Sequence, residues 1–447
     1  MNNRFRYLGV LLIIFLMILS VSCSNKKSEP DPGRYRPDAE SSQDGSEIEE
    51  TETNFQEAFT KDLQISATAL HQDIYGTWNI SGLLTDIAEY SVGMAEIEIV
   101  ILSEGDNPVH TEIITEIPLG LSPGESQPFS LKLPISVQNL NNFEINILKL
   151  WHFEDKSIQV EIGSTRLFTA DSGVVTMVGE FQNNTDQPVA IYSSRAVLFS
   201  GDGNVMAVSF CQVCPRYLDP GDSAPFQFLM YGFSPDIMVD HYEVYLTTQE
   251  TESTERFEIS ILEPIHSYID QSGQFHLMGY IQNDGEKILD LDLLGSFYNQ
   301  SDEIIGASHT SLPMNSLVPG ESSPFDLSIF VPTGEITDWS IQVDSARSNS
   351  VDSPSHILSV ENNTAIPENF QWTISGSVVN DSGETLQVIL IVVGLQEIGT
   401  GKLIGLVETL KTGEFLPGSG IEYNLIIYPD LEIESTNLEE FIIVRGR

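Results

Sequence analysis

The sequence has very little positive charge. Its 447 residues include 65 Asp and Glu but only 20 Lys and Arg, so the formal net charge is −45. Seven of those 20 basic residues lie at or before Lys61, which leaves 13 for the rest of the chain. A surface this acidic repels phosphate backbones and anionic lipid headgroups, so we expect no nucleic-acid partner. Solubility is the simplest reason for the acidity, and binding of calcium or another cationic ligand is the alternative.

Long hydrophobic runs are missing except at the amino terminus. Residues 7–21 form an uncharged, apolar run of 15 residues behind Arg4 and Arg6. A membrane-spanning helix needs about 20 such residues, whereas the apolar part of a signal peptide is shorter. The pattern therefore predicts a signal peptide over residues 1–22, and an uncleaved anchor or an ordinary secretory signal remains open.

A cysteine follows the apolar run. The segment Leu19-Ser20-Val21-Ser22-Cys23 resembles the lipobox of bacterial lipoproteins, with Ser20 where that motif usually has leucine. The resemblance implies that Cys23 carries lipid and anchors the protein on the extracytoplasmic face of the cell membrane. Residues 23–62 are rich in Ser, Glu, Asp and Pro, which predicts a disordered acidic tether.

Cysteine is scarce, and its scarcity argues against a structural zinc site with cysteine ligands. Beyond Cys23 the chain has only Cys211 and Cys214, and a four-ligand zinc site of this type needs a second pair. In an exported protein a local disulfide between the two is favoured, with free thiols and metal or redox chemistry as alternatives. A fully extended backbone would hold their Cα atoms about 10 Å apart, too far for a bridge.

Catalytic motifs are also missing. The eight histidines are scattered, and no metalloprotease, nucleophile-elbow or phosphate-loop motif occurs. We interpret His241 and His276 as structural. Asp290 and Asp292 could together bind a metal ion. Because they alternate with leucines, the simpler interpretation is that they form the solvent-exposed face of a strand. We therefore predict no catalytic residue, no metal, no cofactor and no enzymatic activity.

Tryptophan is rare as well. Trp78, Trp339 and Trp372 fall on the apolar phases of predicted strands, which favours core positions over a sugar-stacking platform. The alternation around Trp151 does not assign this residue to the buried or the exposed face of a strand.

A Pro-Gly turn occurs four times at nearly constant spacing. The turns are Pro123-Gly124, Pro220-Gly221, Pro319-Gly320 and Pro417-Gly418, and an aromatic residue follows each proline by six positions: Phe129, Phe226, Phe325 and Tyr423. Proline and then glycine suit a type II turn, and the residues after it alternate as in a strand with one buried face.

A second landmark lies about 40 residues before each turn. It is an alternating apolar strand with a central glycine and a closing Asp or Asn: Gly82 and Asp86, Gly179 and Asn183, Gly279 and Asn283, Gly376 and Asn380. A glycine inside a strand indicates a bulge or a close approach of another backbone segment. Two landmarks in one register four times predict four copies of one domain.

The fold that we predict is all-β. Six to eight short strands in about a hundred residues indicate an immunoglobulin-like β-sandwich, repeated four times in tandem after the signal peptide and tether. The repeats span residues 63–153 (repeat 1), 154–252 (repeat 2), 253–350 (repeat 3) and 351–447 (repeat 4). Short polar linkers suggest modest contact between neighbours, and their Ser- and Thr-rich composition predicts no calcium dependence.

The strand pattern resembles a known family. Repeat 2 carries Gly179, an Asn183-Asn184-Thr185 strand end, a Phe199 turn with Asp202-Gly203, and then Pro220-Gly221 and Pro225-Phe226, which is similar to the FxLYD-type domain of bacterial surface proteins. The resemblance implies an extracellular immunoglobulin-like module without catalytic activity. Two functions follow as expectations: a structural or interaction stalk at the membrane, or a module that binds a glycan or a partner protein.

Overall fold

The computed structural model describes most of the chain after residue 56. The described residues are 57–58, 62–103, 107–133, 140–152, 158–170, 173–233, 238–251, 257–286, 289–314, 317–330, 335–348, 356–368, 370–430 and 432–447. They belong to one compact unit, Phe55–Arg447. The predictions for the signal peptide, for Cys23 and for the tether up to residue 56 lie outside them. Near the end of the predicted tether, Glu57–Ala58 form a short strand that pairs with Trp151 and Leu150.

The described part of the chain is all-β, as predicted. It contains no α-helix, and its one helical element with stated bounds is a 3-10 turn at Ser435–Asn437. All strand pairs are antiparallel and fall into separate sheets that stack as tandem β-sandwiches.

Repeats 1 and 2 differ in how their sheets close. Repeat 1 has two sheets, β2-β3-β6 and β1-β7-β4-β5, built from β1 Glu57–Ala58, β2 Leu63–Gln72, β3 Trp78–Asp86, β4 Val92–Ser103, β5 Pro108–Leu121, β6 Ser126–Lys132 and β7 Leu140–His152. Repeat 2 consists of β8 Glu161–Ile162, β9 Arg166–Thr169, β10 Val175–Gln182, β11 Val189–Phe199, β12 Val205–Val213, β13 Tyr217–Leu218, β14 Ser223–Met230 and β15 His241–Glu250. Here β12 pairs with both β11 and β14, so the two sheets of the sandwich join into one continuous sheet.

Repeats 3 and 4 return to two separate sheets each. Repeat 3 stacks β16-β17-β20 on β19-β18-β21, with β16 Ile259–Ile269, β17 Gln274–Asn283, β18 Leu289–Tyr298, β19 Ile304–Ser311, β20 Ser322–Phe330 and β21 Asp338–Ser348. Repeat 4 stacks β23-β24-β27 on β22-β28-β25-β26, with β22 His356–Ile357, β23 Ser359–Pro367, β24 Trp372–Val379, β25 Leu386–Glu397, β26 Leu403–Phe415, β27 Gly420–Ile427 and β28 Leu438–Gly446.

The two sequence landmarks pair with each other in every repeat. The central glycine of the first strand lies directly opposite the aromatic residue of the strand after the turn, in four pairs: Gly82 with Phe129, Gly179 with Phe226, Gly279 with Phe325 and Gly376 with Tyr423. A Cβ atom at these glycines would lie 2.5–3.0 Å from the facing ring. The glycine is therefore there because an aromatic side chain lies across it, whereas the pattern predicted a bulge or a close backbone approach.

The Pro-Gly turns have the predicted geometry. All four glycines have positive φ, between 77° and 86°. In each turn the amide two residues after the proline donates to the carbonyl of the residue before it, at 2.9–3.0 Å. Glycine takes this φ without a Cβ clash, which is why it follows proline each time.

The closing Asp or Asn of the first strand holds each turn against that strand. All four side chains are fully buried. In repeats 2, 3 and 4 the Asn amide donates to the carbonyl two residues before the turn proline, at 2.8–2.9 Å. Repeat 1 has Asp86, whose Oδ1 accepts from the Ala88 amide at 2.8 Å.

Each repeat has its own hydrophobic core, but neighbouring repeats are in closer contact than the linkers suggested. The core of repeat 2 includes three residues of repeat 3, Leu294, Ile304 and Ala307, each about 1% exposed. The expectation of modest contact is therefore wrong at this boundary. Strand faces that read as solvent-facing within one repeat are covered by the next repeat, and the sequence of a single repeat carries no signal of that cover.

Candidate functional site at the junctions between repeats

The scarce arginines lie where successive repeats meet. We name these regions the first, second and third junctions, in chain order. The structure describes the side chains of five arginines, and four of them contact the neighbouring repeat: Arg166, Arg195, Arg216 and Arg445.

The first junction contains a buried arginine. Arg195 on β11 is 5% exposed and donates from its Nη1 atom to the carbonyl of Pro128 on β6. Its guanidinium also lies over the Phe210 ring, with the central carbon 5.0 Å from the ring centroid. Burial lowers the pKa of Arg195 from its usual value. A buried cation held by a carbonyl and an aromatic face is costly to leave unpaired, so the contact fixes the two repeats together.

Two neutral hydrogen bonds support the first junction. The Ser81 hydroxyl donates to the Val205 carbonyl at 3.3 Å, and the Gln127 side-chain amide donates to the Thr247 hydroxyl at 2.8 Å. Ser81 and Gln127 are both nearly inaccessible to solvent. The junction is therefore a packed interface rather than a flexible connection.

A cleft lies beside the first junction, under the loop between β2 and β3. Asp73 shapes that loop by accepting from the amides of Tyr75 and Thr77, at 3.0 and 2.8 Å. The Ile74 amide then donates to the Gly232 carbonyl of repeat 2 at 3.0 Å. Gly232 has a φ of 90°, and a Cβ there would lie 2.9 Å from that of Asp73, so the close approach requires glycine.

The cleft has two sides, and His71 lines both of them. The smaller side encloses about 260 Å³ and the larger about 540 Å³. Two exposed tyrosines, Tyr75 and Tyr231, share the smaller side with Asp73 and Lys132. Burial lowers the pKa of His71, although Asp73 raises it in part, and its Nδ1 atom is buried without a hydrogen-bond partner.

The second junction combines apolar and polar contacts. The Tyr298 hydroxyl donates to Glu180 Oε1 at 2.8 Å, and the Gln342 side-chain amide donates to the Ser223 carbonyl at 2.7 Å. Arg166 and Glu303 form an ion pair at its edge.

A cluster of charged groups lies at the second junction. Asp292, His309 and Asp344 come from three adjacent strands of repeat 3, β18, β19 and β21, and one ligand atom of each lies within 4.8 Å of the others. Arg216 of repeat 2 faces them: its Nη2 atom is 3.3 Å from Asp292 Oδ2, and its backbone amide donates to Asp344 Oδ1 at 2.8 Å. Burial raises the pKa of Asp344, and the hydrogen bond from Arg216 opposes the rise.

This cluster changes the interpretation of Asp292. The sequence placed Asp292 on the wet face of a strand, but its side chain is only 14% exposed because repeat 2 covers it. Asp290 shares β18 and pairs in register with Arg347, and its side chain lies outside the described part. Sequence reasoning missed His309, Asp344 and Arg216, since no spacing motif joins residues of different repeats.

The third junction carries an ion pair and a stacked ring series. Arg445 of β28 pairs with Glu321, and His266 Nε2 lies 2.8 Å from Asp430 Oδ2. Burial lowers the pKa of His266, and the hydrogen bond with Asp430 raises it in part. The Tyr268 ring stacks on His266, and its hydroxyl donates to the Tyr428 carbonyl at 3.0 Å.

The cysteine pair lies at the end of β12. A bulge between Cys211 and Val213, where two residues of β12 face one of β14, breaks the extended geometry that would keep the cysteines apart. Both are thiols here, and both pack against the repeat 2 core. Burial raises the pKa of Cys211, and the neighbouring Cys214 raises it further. The disulfide stays a prediction.

The histidines and tryptophans singled out by the sequence occupy supporting positions. His241 stacks on Phe199, with ring centroids 4.5 Å apart, and His276 Nδ1 lies 2.9 Å from Asp326 Oδ2. Three tryptophans pack in or against the cores: Trp78 in repeat 1, Trp339 in repeat 3 and Trp372 in repeat 4. Trp151 lies under Lys149, whose Nζ is 4.7 Å from its ring centroid.

Comparison with known proteins gives no further assignment. No protein-family model matches the chain, and no curated protein matches it. The similarity to FxLYD-type domains therefore stays a prediction. Within the described residues, no helix has the length and apolar character needed to cross a membrane.

Proposed function

We propose that the chain is a non-catalytic surface lipoprotein whose tandem β-sandwiches form a stiff interaction stalk. The observation that supports this is the placement of four arginines at the junctions of a chain with a net charge of −45. Cations are scarce, and each of these four joins one repeat to the next. Bending a junction would separate buried partners such as Arg195 and the Pro128 carbonyl, which costs about 1–3 kcal/mol for each buried group left unpaired.

Anchoring through lipid on Cys23 completes the proposal. The part of the acidic tether that precedes β1, residues 23–56, would act as a flexible spacer between the membrane and the sandwiches. A buried acyl chain contributes about 0.8 kcal/mol per CH₂ group, so several chains on one cysteine hold a protein firmly. The expected location is the extracytoplasmic face of the cell membrane.

Detergent-phase partitioning tests the anchor. The full-length chain, expressed in a bacterial host, should partition into the detergent phase, and Cys23→Ser should move it to the aqueous phase. Cys211→Ser is the matched control and should leave the partitioning unchanged. Membrane retention of Cys23→Ser would contradict lipid anchoring at this residue.

Distance measurements between repeats test the stalk. Spin labels at the exposed positions Val109 in repeat 1 and Leu410 in repeat 4 should give a narrow distance distribution if all three junctions are stiff. Removing the buried cation with Arg195→Ala should broaden that distribution. A distribution that is already broad in the unaltered chain would overturn the stalk proposal.

The cleft at the first junction favours a second candidate function, the binding of a glycan. Tyr75 and Tyr231 are 70% and 60% exposed and line the same cleft as Asp73, Asn79 and Lys132. Exposed aromatic rings stack on the apolar faces of sugars, and the polar groups beside them can bind hydroxyl groups.

A glycan array separates the two candidates. Binding that is lost in a Tyr75→Ala, Tyr231→Ala double variant would support the second function. Tyr192→Ala, which removes a 67% exposed tyrosine on β11 outside this cleft, is the control. Absence of any glycan signal would leave the stalk as the function.

A further inference from the structure

We propose that Asp292, His309 and Asp344 form a binding site for a divalent transition-metal ion, represented by Zn²⁺, at the second junction. One ligand atom of each lies within 4.8 Å of the other two. All three strands belong to one sheet of repeat 3, so the donors sit on a rigid framework.

The cluster contains a buried carboxylate oxygen that has no hydrogen-bond partner. The Asp344 side chain is 1% exposed, and its Oδ2 atom has no hydrogen-bond partner. This atom faces the cluster, 3.9 Å from His309 Nε2 and 3.8 Å from Arg216 Nε. Both distances are those of ion pairs and exceed a hydrogen bond, so this buried oxygen has nearby positive groups but no direct donor.

The local backbone aims Asp344 at the cluster. In the pairing of β18 with β21, Asp292 faces Ser345 and Leu293 faces Val343, so Asp344 is the extra residue of a β-bulge. Bulges redirect side chains and are common beside functional sites.

Supporting hydrogen bonds orient both carboxylates. Ser311 donates to Asp292 Oδ1, and the Arg216 backbone amide donates to Asp344 Oδ1, at 2.5 and 2.8 Å. In each carboxylate one oxygen is held by the protein while the other faces Arg216. Metal ligands are typically held in this way by their neighbours.

The donor set selects the class of ion. One imidazole and two carboxylates suit Zn²⁺ or Mn²⁺, whereas Ca²⁺ takes six to eight oxygen ligands. A tetrahedral ion with bonds of about 2.1 Å needs donors about 3.4 Å apart. His309 Nε2 and Asp344 Oδ2 are 3.9 Å apart, so only a small movement would bring them to this separation. The His309 side chain is partly exposed and can make that movement.

Arg216 occupies the position of the cation and would compete with it. Its side chain is 43% exposed and can swing into solvent while its backbone amide keeps its bond to Asp344. The two cations cannot share the site because they repel each other and need the same oxygen atoms.

Calorimetric titration of the untagged, chelator-treated full-length chain with Zn²⁺ tests the proposal. We expect one ion per chain, with binding weakened at least about tenfold by Asp344→Asn and by His309→Gln. Arg216→Gln should tighten binding, which a purely structural cluster would not do. His241→Gln, at a histidine 2.9 Å from Asp240 but outside the cluster, is the matched control and should bind as the unaltered chain does.

Three results would overturn the site. They are the absence of Zn²⁺ and Mn²⁺ binding, binding that survives His309→Gln unchanged, and weaker binding in Arg216→Gln. His309 is partly exposed, so its substitution leaves the proposal testable even if Asp344→Asn does not fold.

Discussion

The residue that closes the first strand of each repeat connects that strand to the Pro-Gly turn. Three repeats use asparagine, whose amide donates to the carbonyl two residues before the turn proline. In repeat 1 that carbonyl belongs to Leu121, and Asp86 has no N–H to offer it. Asp86 Oδ2 is buried without a hydrogen-bond partner, and burial raises the pKa of this carboxyl.

Replacing Asp86 by asparagine should stabilise repeat 1. We expect a gain of about 1–3 kcal/mol at pH 7, because a buried unpaired oxygen becomes a donor with a partner. The measurement is hydrogen-exchange protection of β3 and β6 amides, since a chain of several repeats need not unfold in one step. The control is Asn183→Asp, the reverse substitution at the equivalent position of repeat 2, and it should destabilise that repeat. A loss of protection in Asp86→Asn would contradict the prediction.

The same substitution should change the pH dependence. The pKa of Asp86 is raised in the folded state above its ordinary value of 3.8, so the folded chain holds the proton more tightly than the unfolded chain. The contribution of Asp86 to stability is therefore full below about pH 3.8 and is lost as the pH rises through the folded pKa. Asp86→Asn should gain most at neutral pH and least in acid, and an equal gain at both would contradict this.

At the scale of elements, the paired strands of the two landmarks carry the fold. The glycine of one strand leaves room for the aromatic ring of the next, so the two residues act as one unit. At Gly179 an added Cβ would lie 2.5 Å from Phe226 Cζ and 2.9 Å from the Ser164 carbonyl oxygen.

Gly179→Ala should destabilise repeat 2 by about 1–3 kcal/mol through overpacking. Gly201→Ala is the matched control, because no atom lies within 4 Å of its Cβ position, and it should be nearly neutral. The readout is the denaturant midpoint followed by hydrogen exchange in β10 and β14. Similar effects of the two substitutions would show that ring contact is not the reason for the glycine.

The elements could be predicted because their signals are local. Alternation over eight residues located β10 and β14, and the common spacing of the landmarks implied that they pair. The junction residues had no such signal. Arg195 meets Pro128 across 67 positions and Arg216 meets Asp344 across 128, and neither contact follows a period or a motif. The bulge that aims Asp344 is likewise invisible in the alternation of β21.

At the scale of the whole molecule, a buried junction contact should couple neighbouring repeats more strongly than an exposed one. Arg195→Ala should uncouple repeats 1 and 2, so that calorimetry shows their transitions separating, because the cation is buried. Arg166→Ala removes a half-exposed ion pair with Glu303 and should change the melting profile little. Equal effects would mean that burial does not decide the strength of these contacts.

The excess of negative charge should make stability depend on salt. A net charge of −45 destabilises a compact chain by self-repulsion. Raising the NaCl concentration from 10 to 150 mM shortens the screening length from about 30 Å to about 8 Å. We therefore expect the thermal midpoints to rise with added NaCl, and a fall would show that attractive pairs outweigh the repulsion.

The different contacts at the three junctions have a consequence for the order of the repeats. Their interiors follow one plan, but the first junction uses a buried Arg195, the second an Arg216 facing carboxylates, and the third the Arg445 pair. Each repeat therefore has an edge that fits only its own neighbour. A permuted chain with repeats 2 and 3 exchanged would lose all three matched edges and the cover that repeat 3 gives to the core of repeat 2. The order of the repeats is therefore encoded at these edges, separately from the strand plan that the repeats share.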